Sequence, residues 1–373
     1  MLALATALCI DMGGEYGIRN VVVTIASPML MWLHARRLRI GLRVLFPFVM
    51  LIIWPLFSFA IGLANGADER LALSQLQSTV LGFVLVLIVG TTEPNRTARL
   101  LTIALRITAV AAISLAVGLF FDFPLAAATT AFLDDSGGGY FGKRSVTEFD
   151  FAPNIYFKSS IFYAWAFTYT LLLNQHRSAL LLLFAMIAAT SKASLLAALL
   201  ITLIRTTALA SIRTFLFAAL ATAAAVSLVM ALSLDVLFVE IVKMESNTVD
   251  VRMLHLRSLL SYWAAHPLNI FFGFGLGTEF FSLGEGALVS NIELDHLNCI
   301  RKYGLFWSLA FFAWTLVSAW SAIRSNDLQR RATGWALLVV FIVAGTNPVL
   351  ISPLFFLVLA ICHAKSTDGV DHR

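Results

Sequence analysis

The fold class follows from the stretch LRVLFPFVMLIIWPLFSFAIGLA (42–64), in which Arg43 is the only charged residue. A helix needs about 20 mostly apolar residues to cross the hydrocarbon core of a bilayer, and this stretch is long enough. Similar apolar runs recur at 76–92, 99–121 and 297–322. The pattern predicts an all-α, polytopic integral membrane protein.

The composition agrees with that prediction. Of 373 residues, 60% are apolar and 13% are charged, and the mean hydropathy is +0.87, whereas a soluble domain carries about 25% charged residues. Such a composition excludes a cytosolic enzyme, a secreted disulfide scaffold and a nucleic-acid binder. The three cysteines, Cys9, Cys299 and Cys362, are widely spaced in apolar surroundings, so neither a disulfide framework nor a zinc site fits.

Apolar runs between polar breaks predict a single transmembrane domain over 1–373 with about twelve crossings, and with ten as the lower bound. The predicted crossings lie at about 1–10, 20–33, 42–64, 76–92, 99–121, 158–173, 178–190, 193–204, 214–234, 297–322, 332–346 and 347–363.

Lys and Arg then set the orientation, because cytoplasmic loops carry an excess of both. Fourteen of the 26 Lys and Arg residues fall in every second break. The rule places these breaks and both termini in the cytoplasm. The pair at 178–190 and 193–204 can also be read as one helix. That alternative moves Arg205 and Arg213 to the outer side, so two short helices meeting at Thr190-Ser191-Lys192 fit better.

Two connections on the outer side are much longer than the others, the first long loop (122–157) and the second long loop (235–296). Long connections of this kind are usually functional. The second long loop contains an apolar stripe at helical spacing, which predicts an amphipathic helix at about 248–266 lying in the membrane interface. The stripe consists of Val249, Met253, Leu256, Leu260 and Trp263.

Charged side chains flank that stripe, with Arg252, His255 and His266 on one side and Arg257 on the other. Interfacial arginines often do no more than snorkel or bind lipid phosphate, and that alternative stays open. The run LNIFFGFGLGTEFF (268–281) follows. Its glycines fit either a turn that brings backbone close to a ligand or a plain loop.

The second long loop ends in SNIELDHLNCIRKYGLFW (290–307). Glu293 has the spacing of a capping-box carboxylate after Ser290. His296 lies beside Glu293 and Asp295, and a histidine next to carboxylates can deprotonate a hydroxyl group. The alternative is that these are ordinary solvated polar residues.

The first long loop carries FLDDSGGGYFGKRSVTEFDFAPN (132–154). Aromatic rings next to hydrogen-bonding side chains suit sugars, although aromatic residues are also normal at a membrane interface. The pair Asp134 and Asp135 lacks further ligands at a defined spacing, so neither a metal nor another cofactor is predicted. Lys192 is an ionisable residue at membrane depth, which is a functional candidate unless it snorkels to the surface.

These motifs, in this order, resemble the bacterial O-antigen polymerase and O-antigen ligase superfamily. The resemblance covers roughly 140–310 and rests on AMIAATSKASLLAALL (185–200), with Lys192 where Arg is more usual, on the run from Arg252 through HPLNIFFGFGLG (266–277), on IELDHLNCIRKYGLFW (292–307) and on FGKRSVTEFDFAPN (141–154).

The resemblance implies a GT-C-like fold in the bacterial inner membrane. It implies an enzyme that polymerises undecaprenyl-diphosphate-linked repeat units into O-antigen or exopolysaccharide on the periplasmic side, without a metal. His296 would act as base, assisted by Glu293 or Asp295. The diphosphate or glycan would be held by Arg257, Arg252, Arg144, Lys192 and Arg301. Membrane lipid, a flippase and a chain-length regulator are the partners that the resemblance implies.

Two alternatives remain. A ligase would pass the glycan to a lipid or protein acceptor, but ligases in this superfamily typically have Asn directly after the histidine, and here Leu297 separates His296 from Asn298. A transporter or flippase for lipid-linked sugars would need polar groups at the membrane midplane. The predicted midplane is nearly free of charge, with Arg106 as the main exception.

Overall fold

A computed structural model describes residues 1–12, 42–135, 137, 139–146, 149–189, 191–209 and 234–364, with isolated positions at 18, 21, 25 and 28. Only the backbone is described at 42–43, 142–146, 149–153, 192, 204–209 and 234–249. The predicted crossings at 20–33 and 214–234 fall almost wholly outside the described residues, as does the tail from Lys365.

Most described residues are helical. The helices are α1 (Leu2–Ile10), α2 (Leu42–Phe48, Val49–Ile53 and Trp54–Ala64 in succession), α3 (Glu69–Thr91), α4 (Pro94–Phe120), α5 (Pro124–Asp135), α6 (Tyr163–Leu172), α7 (His176–Ala188), α8 (Lys192–Leu209), α9 (Leu234–Ala265), α10 (Asn269–Phe272), α11 (Asp295–Tyr303), α12 (Leu305–Ile323), α13 (Leu328–Val343) and α14 (Pro353–His363). Two antiparallel hairpins pair β1 (Gly139–Val146) with β2 (Phe149–Phe157) and β3 (Phe280–Ser282) with β4 (Ala287–Val289).

Five helical segments in the described part of the chain are long and apolar enough to cross a membrane. They are Val44–Ala64, Glu69–Thr91, Pro94–Phe120, Leu305–Ile323 and Leu328–Thr346. Their outward faces carry exposed apolar side chains such as Val110 and Val317. The protein is therefore a mostly helical membrane protein, as its composition predicts.

The centre of the molecule is formed by α14 and α6. Every residue of α14 from Pro353 to Cys362 is buried, and so is every residue of α6 from Tyr163 to Thr170. α14 packs on α3 and α12, while α6 packs on α7, α8 and α13. A helix that is apolar on all sides is stable only when neighbours cover every side, which these contacts provide.

α2 contains a π-helical turn at Val49–Ile53. In such a turn each carbonyl accepts from the amide five residues later. For Met50 that residue is Pro55, which has no N–H. The indole Nε1–H of Trp307 on α12 donates to the Met50 carbonyl instead, at 2.8 Å.

The first long loop is folded rather than irregular, and its β-hairpin departs from the all-α prediction. Phe141 on β1 and Ile155 and Phe157 on β2 form a small core with alanines of α4 and α5. Gly118 on α4 permits the close approach of α5, because a Cβ there would lie 2.6 Å from the Cβ of Ala126. The hairpin therefore covers one end of α4.

Several helix boundaries differ from the prediction. The predicted crossing 297–322 is two helices, α11 and α12, because Gly304 has φ +86°, a left-handed conformation that ends a helix. The predicted crossing 347–363 is helical only from Pro353. The amphipathic helix predicted at 248–266 ends one residue early but begins already at Leu234. The predicted separation into two helices is confirmed, since α7 ends at Ala188 and α8 begins at Lys192, but α8 continues to Leu209 instead of ending at 204.

Candidate functional site

Two polar bridges hold the end of the second long loop against α9. Arg252 Nε donates to Glu293 Oε2 at 2.9 Å, with side chains 26% and 50% exposed. One turn further on, the buried His255 places Nδ1 2.5 Å from Ser282 Oγ and Nε2 3.6 Å from Glu285 Oε1. Residues three apart share a helix face, so both bridges act on the same side of α9.

The end of the second long loop covers one side of α9. His255, Ser258 and Leu259 are buried, whereas Met253 and Leu260 of the predicted apolar stripe are about half exposed. Of the other stripe residues whose side chains the structure describes, Leu256 is half-buried and Trp263 is buried. The structure therefore exposes Met253 and Leu260, the two stripe residues on the outward side of α9.

α11 is short but buries several polar side chains. Arg301 is fully buried, and its Nη1 donates to the Thr278 carbonyl at 2.8 Å. Its other donors reach the Ser290 carbonyl and the Asn298 side chain. Burial lowers the pKa of Arg301. The guanidinium is committed to protein acceptors, an arrangement that favours a structural role over the predicted substrate contact.

Asp295 and Lys302 are the other buried charged residues of α11. Asp295 Oδ2 accepts from the Leu350 amide at 2.6 Å, which ties the start of α11 to the loop before α14. Lys302 Nζ donates to the Asn291 side chain. Burial raises the pKa of Asp295 and lowers that of Lys302, and the attraction between the two groups opposes both shifts.

His296 lies on another side of α11 and is half-buried. Its ring packs edge-on against Phe312 at 5.2 Å and Phe341 at 4.7 Å, close to Gly345. Burial lowers its pKa, which keeps the imidazole neutral at neutral pH. Among the described residues, no hydrogen bond or ion pair joins His296 to either carboxylate. Glu293 accepts from Arg252, and Asp295 accepts from the Leu350 amide.

The remaining predicted substrate contacts are more dispersed. Arg257 is exposed and has no hydrogen-bond partner among the described residues. Arg144 lies on β1 opposite Ala152, and Lys192 begins α8, but the side chains of both lie outside the described part of the structure.

The glycine run proves to be a packing device. Gly275 has φ +92°, and a Cβ there would lie 2.1 Å from the backbone nitrogen of Gly62 on α2. The Leu276 amide donates to the Ser58 carbonyl at 3.0 Å, and the Phe274 amide donates to the Arg301 carbonyl at 2.7 Å. The run therefore passes between α2 and α11 in close backbone contact with both, and its glycines serve that packing.

The two long loops are linked electrostatically through Glu293. Burial raises the pKa of Tyr156 on β2, and the Tyr140 phenol and the Glu293 carboxylate raise it further. The Glu293 carboxylate therefore acts electrostatically on the hairpin of the first long loop. Tyr140 is the cross-strand partner of Tyr156, with ring centroids 6.1 Å apart. We call Arg252, Glu293, Tyr140 and Tyr156 the two-loop surface.

Sequence reasoning missed the partners that organise this region, chiefly Ser282 and Glu285 around His255, and Asn291 beside Lys302. Ser282 lies 27 residues along the chain from His255, and Asn291 lies 11 residues from Lys302. These residue types are common in loops, so no sequence motif identifies them as partners. Among the described residues, no three His, Cys, Asp or Glu side chains are grouped as a metal site needs. Comparison of the chain with protein-family models and with curated proteins found no match.

Proposed function

We propose that this protein is a polysaccharide polymerase of the inner membrane of a bacterium, which joins undecaprenyl-diphosphate-linked repeat units on the periplasmic side. The full proposal includes about twelve crossings, a GT-C-like fold and both termini in the cytoplasm. It rests on the resemblance of the motif order to the O-antigen polymerase and ligase superfamily.

The observation that best supports the proposal is the two-loop surface. It combines a guanidinium and a carboxylate with two tyrosine rings, and Tyr140 is 70% exposed. Arg252 and Glu293 are also partly open to solvent. Ring faces and charged hydrogen-bonding groups together suit an oligosaccharide that bears hydroxyl groups.

In the proposed reaction an acceptor hydroxyl attacks the anomeric carbon of the donor sugar. The new C–O bond forms as the bond to the diphosphate breaks, and the hydroxyl proton passes to neutral His296. The diphosphate leaves with the electron pair of that bond, and Arg257 stabilises its charge through a two-pronged contact. Glu293 orients Arg252, while Asp295 positions α11 rather than assisting the base.

The first test replaces Arg257. Arg257→Ala should abolish surface polymer without loss of protein from the membrane, because its exposed side chain supports no described contact. Gel analysis of the surface glycan and an immunoblot of the membrane fraction measure the two effects. Arg70→Ala, at another exposed arginine, is the matched control and should retain full polymer. Wild-type polymer length in Arg257→Ala would refute the assigned role.

The second test follows pH. The base must be neutral, so activity should fall as the pH drops through the pKa of His296. Burial places that pKa below the ordinary value of about 6.5. The midpoint of this decline, measured for polymerisation by the purified protein in nanodiscs, should therefore lie below pH 6.5. A midpoint at or above pH 7 contradicts the assignment.

Gene deletion separates the alternatives. Lipid-linked units that stop at a single repeat indicate a polymerase, and long polymer left on its carrier indicates a ligase. Units trapped on the cytoplasmic leaflet indicate a flippase.

A further inference from the structure

An apolar patch lies on and beside α10 and includes a residue at the start of α12. Leu268 is 73% exposed, Phe271 41% and Phe272 45%, and Phe306 at the start of α12 is 51% exposed. The Phe306 ring centroid lies 5.6 Å from that of Phe271 and 5.9 Å from that of Phe272. We call Leu268, Phe271, Phe272 and Phe306 the α10 patch. Contiguous exposed apolar side chains of this size mark an interaction surface.

Two glycines allow α10 to pack closely against the junction of α11 and α12. Gly273 has φ +82°, and a Cβ there would lie 2.4 Å from the Lys302 carbonyl oxygen. Gly304 has φ +86°, and a Cβ there would lie 2.2 Å from the Phe271 carbonyl oxygen. The two backbones are in direct contact, so α10 cannot swing away from α12 without breaking this packing.

This close packing sets the depth of the α10 patch relative to the membrane. Phe306 is the second residue of the span Leu305–Ile323, so it lies at the edge of the hydrocarbon core. Phe271 and Phe272 touch it and therefore lie at the same edge. Further along the same helix, Leu309 and Val317 are 56% and 67% exposed, which continues the apolar surface into the span.

We propose that the α10 patch is inserted into the lipid bilayer at the boundary where α12 begins. The continuity of the patch with the lipid-facing side of α12 identifies lipid, rather than a protein, as the partner. Burial of apolar surface is favourable by about 25 cal/mol per Å², so four large side chains form an effective anchor. Aromatic side chains are also the residues that proteins enrich at this level of a membrane.

The consequence concerns the candidate site, although the inference does not depend on the proposed function. The chain runs from α10 through the glycine run to α11, and Gly273 packs directly on the end of α11. Anchoring α10 in lipid therefore holds α11 and His296 at a constant depth. A reaction on a membrane-bound substrate needs such a constant depth, because its reacting atoms lie at a set distance from the bilayer.

The test attaches a nitroxide spin label to Leu268→Cys in nanodiscs of phosphatidylcholine and phosphatidylglycerol. Collision rates with oxygen, which concentrates in lipid, are compared with those of a water-soluble nickel chelate. The native thiols of Cys9, Cys299 and Cys362 are buried, and unlabelled wild type measures any background from them. Leu309→Cys serves as the lipid reference and Glu285→Cys, at an exposed carboxylate, as the water reference.

We expect the ratio of oxygen to nickel collisions at Leu268 to match the ratio at Leu309 and to exceed the ratio at Glu285. A ratio equal to that at Glu285 places the patch in water and overturns the proposal. Low collision rates with both reagents mean that a protein, such as a second copy, covers the patch, and this also overturns it. Phe272→Cys repeats the measurement at the other end of α10 and guards against a local effect of one label.

Discussion

α11 and α14 are both short and both buried, yet they are buried by opposite means. α14 inserts an uninterrupted apolar surface from Pro353 to Cys362 among its neighbours. α11 inserts Asp295, Asn298, Arg301 and Lys302, each less than a tenth exposed. The first helix needs only neighbours of the right volume, whereas the second needs a specific acceptor or donor for each polar group.

This difference between α11 and α14 shows where the stability of the fold depends on individual residues. α14 makes many weak contacts that tolerate exchange of one apolar side chain for another. α11 depends on a few hydrogen bonds to distant segments, at Thr278, Ser290, Asn291 and Leu350. Each helix also carries a buried cysteine, Cys299 on α11 and Cys362 on α14, so thiol reactivity can report on each separately.

The largest effect is expected from Arg301→Met. Methionine fills part of the volume but leaves the carbonyls of Thr278 and Ser290 and the Asn298 side chain without their donor. Unsatisfied buried acceptors cost about 1–3 kcal/mol each, so we expect a loss of about 4 kcal/mol.

Single-cysteine variants heated in detergent with a thiol-reactive dye measure this loss. Cys299 should become reactive well before Cys362. Simultaneous exposure of both thiols, with an unchanged midpoint, would show that α11 does not depend on Arg301.

A smaller effect is expected from Gly304→Ala, at the junction of α11 and α12. The left-handed conformation is unfavourable for alanine, and the added Cβ would lie 2.2 Å from the Phe271 carbonyl oxygen. We therefore expect the free energy of unfolding to fall by about 3 kcal/mol. Gly66→Ala is the matched control, because Gly66 has φ +78° with no atom within 4 Å of the added Cβ.

The control should lose only about 1 kcal/mol. Thermal unfolding followed by tryptophan fluorescence compares the two variants. Equal losses would mean that the contact with α10 contributes nothing to stability.

The smallest effect is expected from Leu357→Met on α14. Leu357 is fully buried among apolar side chains, and exchanges that conserve volume usually cost less than about 1.5 kcal/mol. The same melting experiment should show a shift in the Cys362 midpoint of no more than a few degrees. A loss of stability in Leu357→Met as large as that in Arg301→Met would show that the two helices do not differ in their dependence on individual residues.

The sequence was sufficient for the elements that depend on local pattern. The separation of α7 from α8 and the end of the amphipathic helix follow from apolar periodicity and flanking residues, and so does the presence of five long apolar helical segments in the described part of the chain. The two long loops could also be located, because they interrupt that periodicity.

What could not be predicted depends on contacts between distant segments. Gly304 sits in an apolar run where glycine is tolerated within a helix, and only its packing against α10 makes it a helix end. From the sequence alone, the polar residues of α11 can be interpreted as solvent-exposed. The loop that buries Asp295 lies 55 residues further along the chain, so local sequence does not indicate the burial. The Ser282 and Glu285 partners of His255 were missed for the same reason.

The hydrogen bond from Trp307 to the Met50 carbonyl fixes the rotation of α2 relative to α12. Trp54 on α2 donates in turn to the Tyr303 carbonyl at the end of α11, so the coupling runs in both directions. With two indole groups bonded to backbone atoms of the opposite segment, rotation of either helix about its own axis would break at least one of these hydrogen bonds. The pair therefore acts as a cross-link that favours one rotational setting of α2 against α11 and α12.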